Sequence, residues 1–292
     1  MNKIKIITDS VSDLPKNLVE KYDIKIMPLK VIIDGKVYRD WYDLTQEEFL
    51  KKLAQSKEMP KTTQVTPEEF MEAYEQEVRQ GNTIISIHIS SKCSGTYQSA
   101  LLAKEEIVSK YLHAKIHVID SKLLSLSYGI MAVEAARMAE ANIPVEKILE
   151  RLHYMTQKMG CIFVVDTLEY LKRGGRLSAT KAAIGSLLNI KPVINMKDGE
   201  LYVFDKIRGN KKVIPKLLQY LDDLAGEDLE NQTIGICHNI SEEKLADYVA
   251  KIKERFNPKE IITSHYGSVV ATHGGPGIIS ALFMATKQKN AR

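Results

Sequence analysis

Apolar positions follow two spacings along this chain. Short runs rich in β-branched residues at 4–8, 24–33, 83–89, 115–119, 161–165, 233–237 and 260–264 predict strands, with 83–89 and 161–165 buried. Helical spacing covers 97–110, 128–141 and 242–255. Thr45 with Glu48, and Thr66 with Glu69, are capping boxes that predict two further helix starts, the second with Pro67 at its first helical position. Pro144 starts another helix, and Ser12 and Asp13 are expected to cap one that has Pro15 in its first turn. Asp34-Gly35 and Asp198-Gly199 predict hairpins, the first reversing one continuous strand over 24–33. Helices alternate with the strands at 4–8, 83–89 and 115–119, which predicts a parallel sheet with right-handed crossovers. These strands end in Thr8-Asp9-Ser10, in Ser90, and in Asp120-Ser121, so polar groups would line one sheet edge. The fold expected is α/β, with a domain boundary near Gly160 that divides the chain into 1–159 and 160–292.

Composition narrows the class. The 292 residues suffice for two domains or one large one, and the net charge of +4 is spread along the chain, which argues against a dedicated nucleic-acid binder. No run of eighteen apolar residues occurs, and Lys3 and Lys5 interrupt the first strand, so neither a membrane span nor a signal peptide is expected. The 3 cysteines, Cys93, Cys161 and Cys237, lack metal-ligand spacing and read as reduced thiols of a cytoplasmic protein. Cys93 reads as a small buried side chain rather than a nucleophile.

Candidate chemistry sits in three places. Ser90-Ser91-Lys92-Cys93-Ser94-Gly95-Thr96-Tyr97 leaves a strand's carboxyl end and opens a helix, where open α/β sheets bind ligands. Ser94 and Thr96 offer hydroxyls and Gly95 a close backbone approach; a helix start with spare serines fits the same residues. Between Pro60 and Pro67, Thr62, Thr63 and Gln64 have no local partner, so they read as ligand contacts or as a satisfied turn. Of 7 histidines only His273 lies among glycines, and Gly274, Gly275 and Gly277 are expected to clear room beside it. His88 alternates within a strand; His113, His117, His153, His238 and His265 lie near element ends without partners at ligand spacing. Lys172-Arg173-Gly174-Gly175-Arg176 lacks P-loop spacing and reads as the end of one short helix, with Ser178 capping the next. The basic cluster Arg208-Gly209-Asn210-Lys211-Lys212 reads as a solvated helix start.

In order, Thr8-Asp9-Ser10, Pro60 to Pro67, Ser91 to Ser99, Asp120-Ser121, Leu171 to Ser178, Leu187 to Pro192 and His273 to Gly277 resemble the signatures of the DegV family. Val65 departs from it, standing where the family often has proline. The resemblance implies two α/β domains, the C-terminal one mixed, and a buried tunnel for one long-chain, palmitate-like fatty acid as ligand, with no other cofactor. It implies that Thr62 and Ser94 hold the carboxylate, with Thr63, Gly95 and Thr96 nearby and Arg208 and His273 near the head group. It also implies a role in lipid transport, or in presenting the acid to a separate ATP-binding fatty-acid kinase subunit, with at most transient membrane contact. Two other classes compete. One is a serine hydrolase or acyltransferase using Ser94, His273 and Asp120, against which there is no G-x-S-x-G around Ser94. The other is a nucleic-acid-binding regulator, suggested by the mildly basic balance. No nucleotide-phosphate loop and no acidic metal cluster is evident, so phosphoryl transfer would need another protein.

Overall fold

A computed structural model describes residues 3–56, 58–177, 189–225 and 228–285. The first half of the chain runs β1 (Ile4–Asp9), α1 (Lys16–Lys21), β2 (Lys25–Met27), β3 (Lys30–Ile33), β4 (Lys36–Arg39), α2 (Gln46–Gln55), β5 (Lys61–Thr63), α3 (Pro67–Arg79), β6 (Thr83–His88), α4 (Thr96–Lys110), β7 (Ile116–Asp120), α5 (Leu126–Glu140) and α6 (Val145–Lys158). The second continues β8 (Met159–Val164), α7 (Glu169–Arg173), β9 (Ile190–Lys197), β10 (Glu200–Arg208), α8 (Val213–Tyr220), β11 (Thr233–His238), α9 (Glu242–Phe256), β12 (Glu260–His265), α10 (Ser268–Gly274) and β13 (Ile279–Met284).

Three sheets form among the described residues. Four strands pair in parallel in the order β2-β1-β6-β7, and six form a mixed sheet, β10-β9-β8-β13-β11-β12. Every residue of β6 is buried, as a central parallel strand covered on both faces requires. The third sheet, β4-β3-β5, is antiparallel. It corrects the continuous strand expected over 24–33. Pro28 lacks the N–H that a ladder needs, so the run breaks there, β2 joining β1 and β3 starting a separate sheet. The register of that small sheet sets Thr62 opposite Val31.

Helix α5 joins the two larger sheets. Its sequence is apolar nearly all round, as a helix without a solvent face should be, and it packs on β1 and β6 of one sheet and on β8, β11 and β13 of the other. A Cβ at Gly129 would lie 2.5 Å from the Ser12 carbonyl oxygen, so only glycine lets α5 approach the Ser10–Ser12 turn. Strand β8 alternates between two cores. Cys161 and Phe163, with Val165 just after the strand, face the core shared with the parallel sheet, while Ile162 and Val164 face a second core built with α8 and α9. The boundary expected at 159/160 falls within the first residues of β8.

Both predicted capping boxes form, at α2 and α3. The cap expected from Ser12 and Asp13 does not; α1 starts at Lys16 with no side-chain cap. Asp13 instead sits in the left-handed region (φ 48°), where its buried carboxylate accepts bonds from the Ser125 hydroxyl and from the Gly267 N–H at 2.8 Å. Thr8-Asp9-Ser10 is likewise spent internally. Asp9 accepts from Tyr128 Oη at 2.6 Å and from the Ile89 N–H at 3.1 Å, and it lies 3.0 Å from His88 Nδ1. Ser178 and part of the Leu187 to Pro192 motif lie outside the described residues.

The entry of α10 carried no recognisable signal. Its first N–H groups have no local side-chain acceptor; Asp40, from just after β4, supplies one. Asp40 Oδ1 accepts from the Ser268 N–H at 2.8 Å and the Ser268 hydroxyl at 2.6 Å. Asp40→Ala would leave buried donors without an acceptor, at a cost of about 2–4 kcal/mol. Asp40→Asn keeps the Oδ1 acceptor and should lose less than half of that. Urea denaturation of the three proteins checks this, and an unchanged midpoint for Asp40→Ala would remove Asp40 as the cap.

Candidate functional site

A cavity of about 340 Å³ lies where the small sheet, the β6–α4 loop and α10 converge. That is within the roughly 300–1,000 Å³ usual for ligand sites. One part of its wall is apolar, with Phe163, Leu124, Leu201, Val270 and Ile278 among the lining residues. Another part is polar and draws Thr62, Thr63 and Gln64 from β5 and the residue after it, Ser94 and Gly95 from the loop before α4, and His273 from α10.

Each polar group is positioned from a different element. The ladder to β3 holds Thr62, and Thr62 Oγ1 and His273 Nε2 lie 3.0 Å apart, linking residues far apart in the chain. Ser94 Oγ lies 2.9 Å from Thr96 Oγ1 and accepts from the Thr96 N–H at 3.3 Å. Thr96 itself is fully buried and supports Ser94 without lining the cavity. Gly95 lets the Gln64 side chain lie close, since a Cβ there would sit 2.0 Å from Gln64 Oε1, and Gln64 Nε2 donates to Ser99 Oγ at 2.8 Å. That bond links the residue after β5 to the first turn of α4.

The room expected beside His273 is filled. Cβ atoms at Gly274, Gly275 and Gly277 would meet Ile278, the Tyr170 ring and Asp166, so these glycines serve packing and turns. The glycine that admits His273 is Gly174, whose Cβ would lie 2.1 Å from His273 Nδ1. Arg208 ends β10, is exposed, and is not among the cavity-lining residues. The arginine that does line the cavity is Arg176, whose Nε donates to the Cys93 carbonyl at 3.3 Å. Its signal in the sequence was the Arg-Gly-Gly-Arg loop, which without P-loop spacing pointed to no site.

Among the described residues the cavity is lined by no Asp or Glu; its titratable lining groups are Cys93, Arg176 and His273. Burial, and then the Arg176 charge, push His273 down to about 4, so the imidazole is neutral near pH 7. Burial raises the Cys93 thiol to about 11, which agrees with a packed side chain and not a nucleophile. The hydrolase triad is not assembled. Ser94 pairs with Thr96, His273 with Thr62, and Asp120 accepts from the Ser91 hydroxyl at 2.6 Å. No helix among the described residues is long and apolar enough to cross a membrane.

Fold and cavity together define a class: an α/β protein with an apolar pocket whose polar wall carries hydroxyls, an amide, an imidazole and one guanidinium. The particular family follows from sequence and structure comparison. A family model described as "Uncharacterised protein, DegV family" matches residues 3–286, and the chain belongs to the DegV family. A DegV domain-containing protein of Caldanaerobacter subterraneus subsp. tengcongensis is 40% identical over 283 residues, covering 97% of this chain and 99% of that one. A stearic acid-binding protein from Eubacterium ventriosum superposes with a TM-score of 0.88 at 30% identity, covering 98% of each chain. The fatty acid binding protein DegV from Bacillus subtilis superposes at 0.86 and 30% identity, covering 98% of this chain and 100% of that one.

The depressed His273 makes a pH prediction. Its folded value lies below the ordinary 6.5, so as pH falls the unfolded chain takes up the proton first. Stability from this group is therefore complete above about pH 6.5 and is lost between there and about pH 4, by up to about 3 kcal/mol. Urea midpoints of ligand-free parent and His273→Gln, compared from pH 7 to 4, should show that part of the acid loss only in the parent.

Proposed function

We propose that this chain binds one long-chain fatty acid, with its tail in the apolar part of the cavity and its carboxylate among Thr62, Ser94 and His273. The observation that carries this reading is the lining itself: an apolar pocket whose polar wall offers hydroxyls, an imidazole and one guanidinium but no carboxylate. A buried anion without partners is costly, and a wall of this kind supplies them. Each methylene removed from water contributes roughly 0.8 kcal/mol before ordering costs, so tail length and fit dominate affinity and the polar wall sets orientation. The solved relatives described as fatty acid or stearic acid binding proteins support the same ligand class. Thr63, Gly95 and Thr96 act behind the contacts, Thr63 at the rim and the other two by shaping the Ser94 loop.

The carboxylate end is also the accessible end. Thr63 and Gln64 line the cavity and are exposed, so a bound head group would lie nearer to solvent than the tail. That supports presentation of the carboxylate to a separate ATP-binding kinase subunit, toward which the exposed Arg208 would act from outside the cavity. Transport of lipid without phosphorylation needs the cavity alone.

Mass spectrometry of lipid extracted from the purified protein should find about one fatty acid per chain. Protein that extracts clean and shows no thermal shift with palmitate or oleate would overturn the assignment. Thr62→Ala and Ser94→Ala should each weaken palmitate binding by about 1–3 kcal/mol, and the double variant by less than the sum if both hold one carboxylate. Arg208→Ala should bind as the parent does, with any loss confined to partner-dependent phosphorylation.

Carboxylate binding beside His273 favours the imidazolium. Binding near pH 5 should therefore take up a fraction of a proton, read as a dependence of calorimetric enthalpy on buffer ionisation heat. The uptake should vanish in His273→Gln; equal uptake in both proteins would place the head group elsewhere.

A further inference from the structure

We propose that His238, Glu242 and His265 form a site for one first-row divalent cation of the zinc type, separate from the fatty-acid cavity. None of the three lines that cavity. In the sequence they stand at element ends with no ligand spacing, His238 and His265 being far apart. The fold brings them together through parallel pairing. Strands β11 and β12 are neighbours, and their register sets His238 directly beside His265. The two rings lie 4.5 Å apart at an angle of 51°. Glu242, the first residue of α9, returns over the strand ends, with its Oε1 3.7 Å from His265 Nε2. One ligand atom from each of the three side chains lies within 4.8 Å of the other two.

A second observation points to a ligand. His238 is 1% exposed, and its buried Nδ1 makes no well-formed hydrogen bond, the Ile240 backbone being the one backbone group that acts on the ring. Buried polar atoms without partners are uncommon enough that each needs an explanation, and a missing ion is one of the usual ones. An ordinary ion pair between Glu242 and His265 would leave His238 unexplained.

The donor set selects the metal class. Two imidazoles with one carboxylate suit zinc and its neighbours, whereas calcium and magnesium prefer all-oxygen ligands. Tetrahedral zinc with bonds of about 2.0–2.1 Å needs ligand atoms about 3.3 Å apart, so the side chains must close in by an ångström or so. His238 is the fixed anchor. The side chains of His265 and Glu242 are 48% and 76% exposed, so they are free to make that movement. Three protein ligands leave at least one position for water. The cation would tie edge strand β12 to β11 and α9, two residues before Gly267, where the chain enters α10.

The test uses the full chain after dialysis against a chelator. Zn²⁺ is titrated by calorimetry and by competition with a chromophoric chelator, and Co²⁺ serves as a spectroscopic probe. The expected result is one cation per chain and a Co²⁺ d–d spectrum of nitrogen and oxygen ligation. Both His265→Gln and Glu242→Gln should bind at least about tenfold more weakly. These two side chains are exposed, so the variants should fold; matching far-UV spectra and urea midpoints without metal confirm it. His153→Gln, at an exposed histidine on α6, is the control and should bind as the parent does. The proposal is overturned if the parent binds no stoichiometric Zn²⁺, if His265→Gln binds as tightly as the parent, or if His153→Gln abolishes binding.

Discussion

Two buried carboxylates of the first half hold the backbone at the start of α10. Asp13 takes the Gly267 N–H and Asp40 the Ser268 N–H, and burial pushes both carboxyls above the usual range. Buried acids so close together are tolerable only because donors converge on them: the Ser125 hydroxyl on Asp13, the Ser268 hydroxyl on Asp40. The consequence is positional. Helix α10 is only seven residues long and lacks a local cap, so its place depends on these distant groups. It carries His273 to within 3.0 Å of Thr62. The polar wall is completed by His273 only where α10 sits against the first half of the chain.

This dependence explains what could be read from the sequence and what could not. The strands at 4–8, 83–89 and 233–237, the capping boxes at Thr45 and Thr66, and the hairpin at Asp198-Gly199 are local, and their residues carry their own instructions. Thr62, Ser94 and His273 were legible as unusual residues, two by hydroxyls without local duty and one by its glycines. The glycine reasoning pointed to a histidine that lines the cavity, but the space those glycines leave is taken by Ile278, Tyr170 and Asp166. Asp40 had no signal at all. A carboxylate that caps a helix 228 residues away looks, in sequence, like any acid after a strand. The His238–His265 pair was hidden for the same reason, since parallel pairing makes neighbours of residues whose separation in the chain means nothing locally. Pro28 is the opposite case: its missing N–H was in plain view inside the run at 24–33.

The core shows how a ligand pocket survives beside close packing. Strand β8 gives alternate residues to two cores, so Phe163 can line the cavity while Ile162 and Val164 remain packed against α8 and α9. The far face of the six-stranded sheet is therefore stabilised independently of whatever occupies the cavity. The near face is not. Its lining residues Val11, Leu124 and Val270 come from the same apolar cluster that joins the two sheets across α5.

An apolar ligand in that cavity would extend the inter-sheet core, and its head group would be held by residues from both halves. On this reading, binding and docking of the halves are one equilibrium: a ligand that prefers the docked state stabilises it by RT ln(1 + [L]/Kd). The polar wall divides that work unequally. Thr62 and Ser94 are anchored within the first half, by a strand ladder and by a helix start, whereas His273 arrives with α10. A carboxylate bridging Thr62 and His273 would therefore report on docking, while one held by Ser94 alone would not. Because His273 is neutral near pH 7, its imidazole can donate or accept toward Thr62, and an anion beside it would favour the cation at a higher pH than in the empty cavity. Arg176 holds a constant positive charge near the polar wall, and on this reading the imidazole would supply the part that responds to a bound anion.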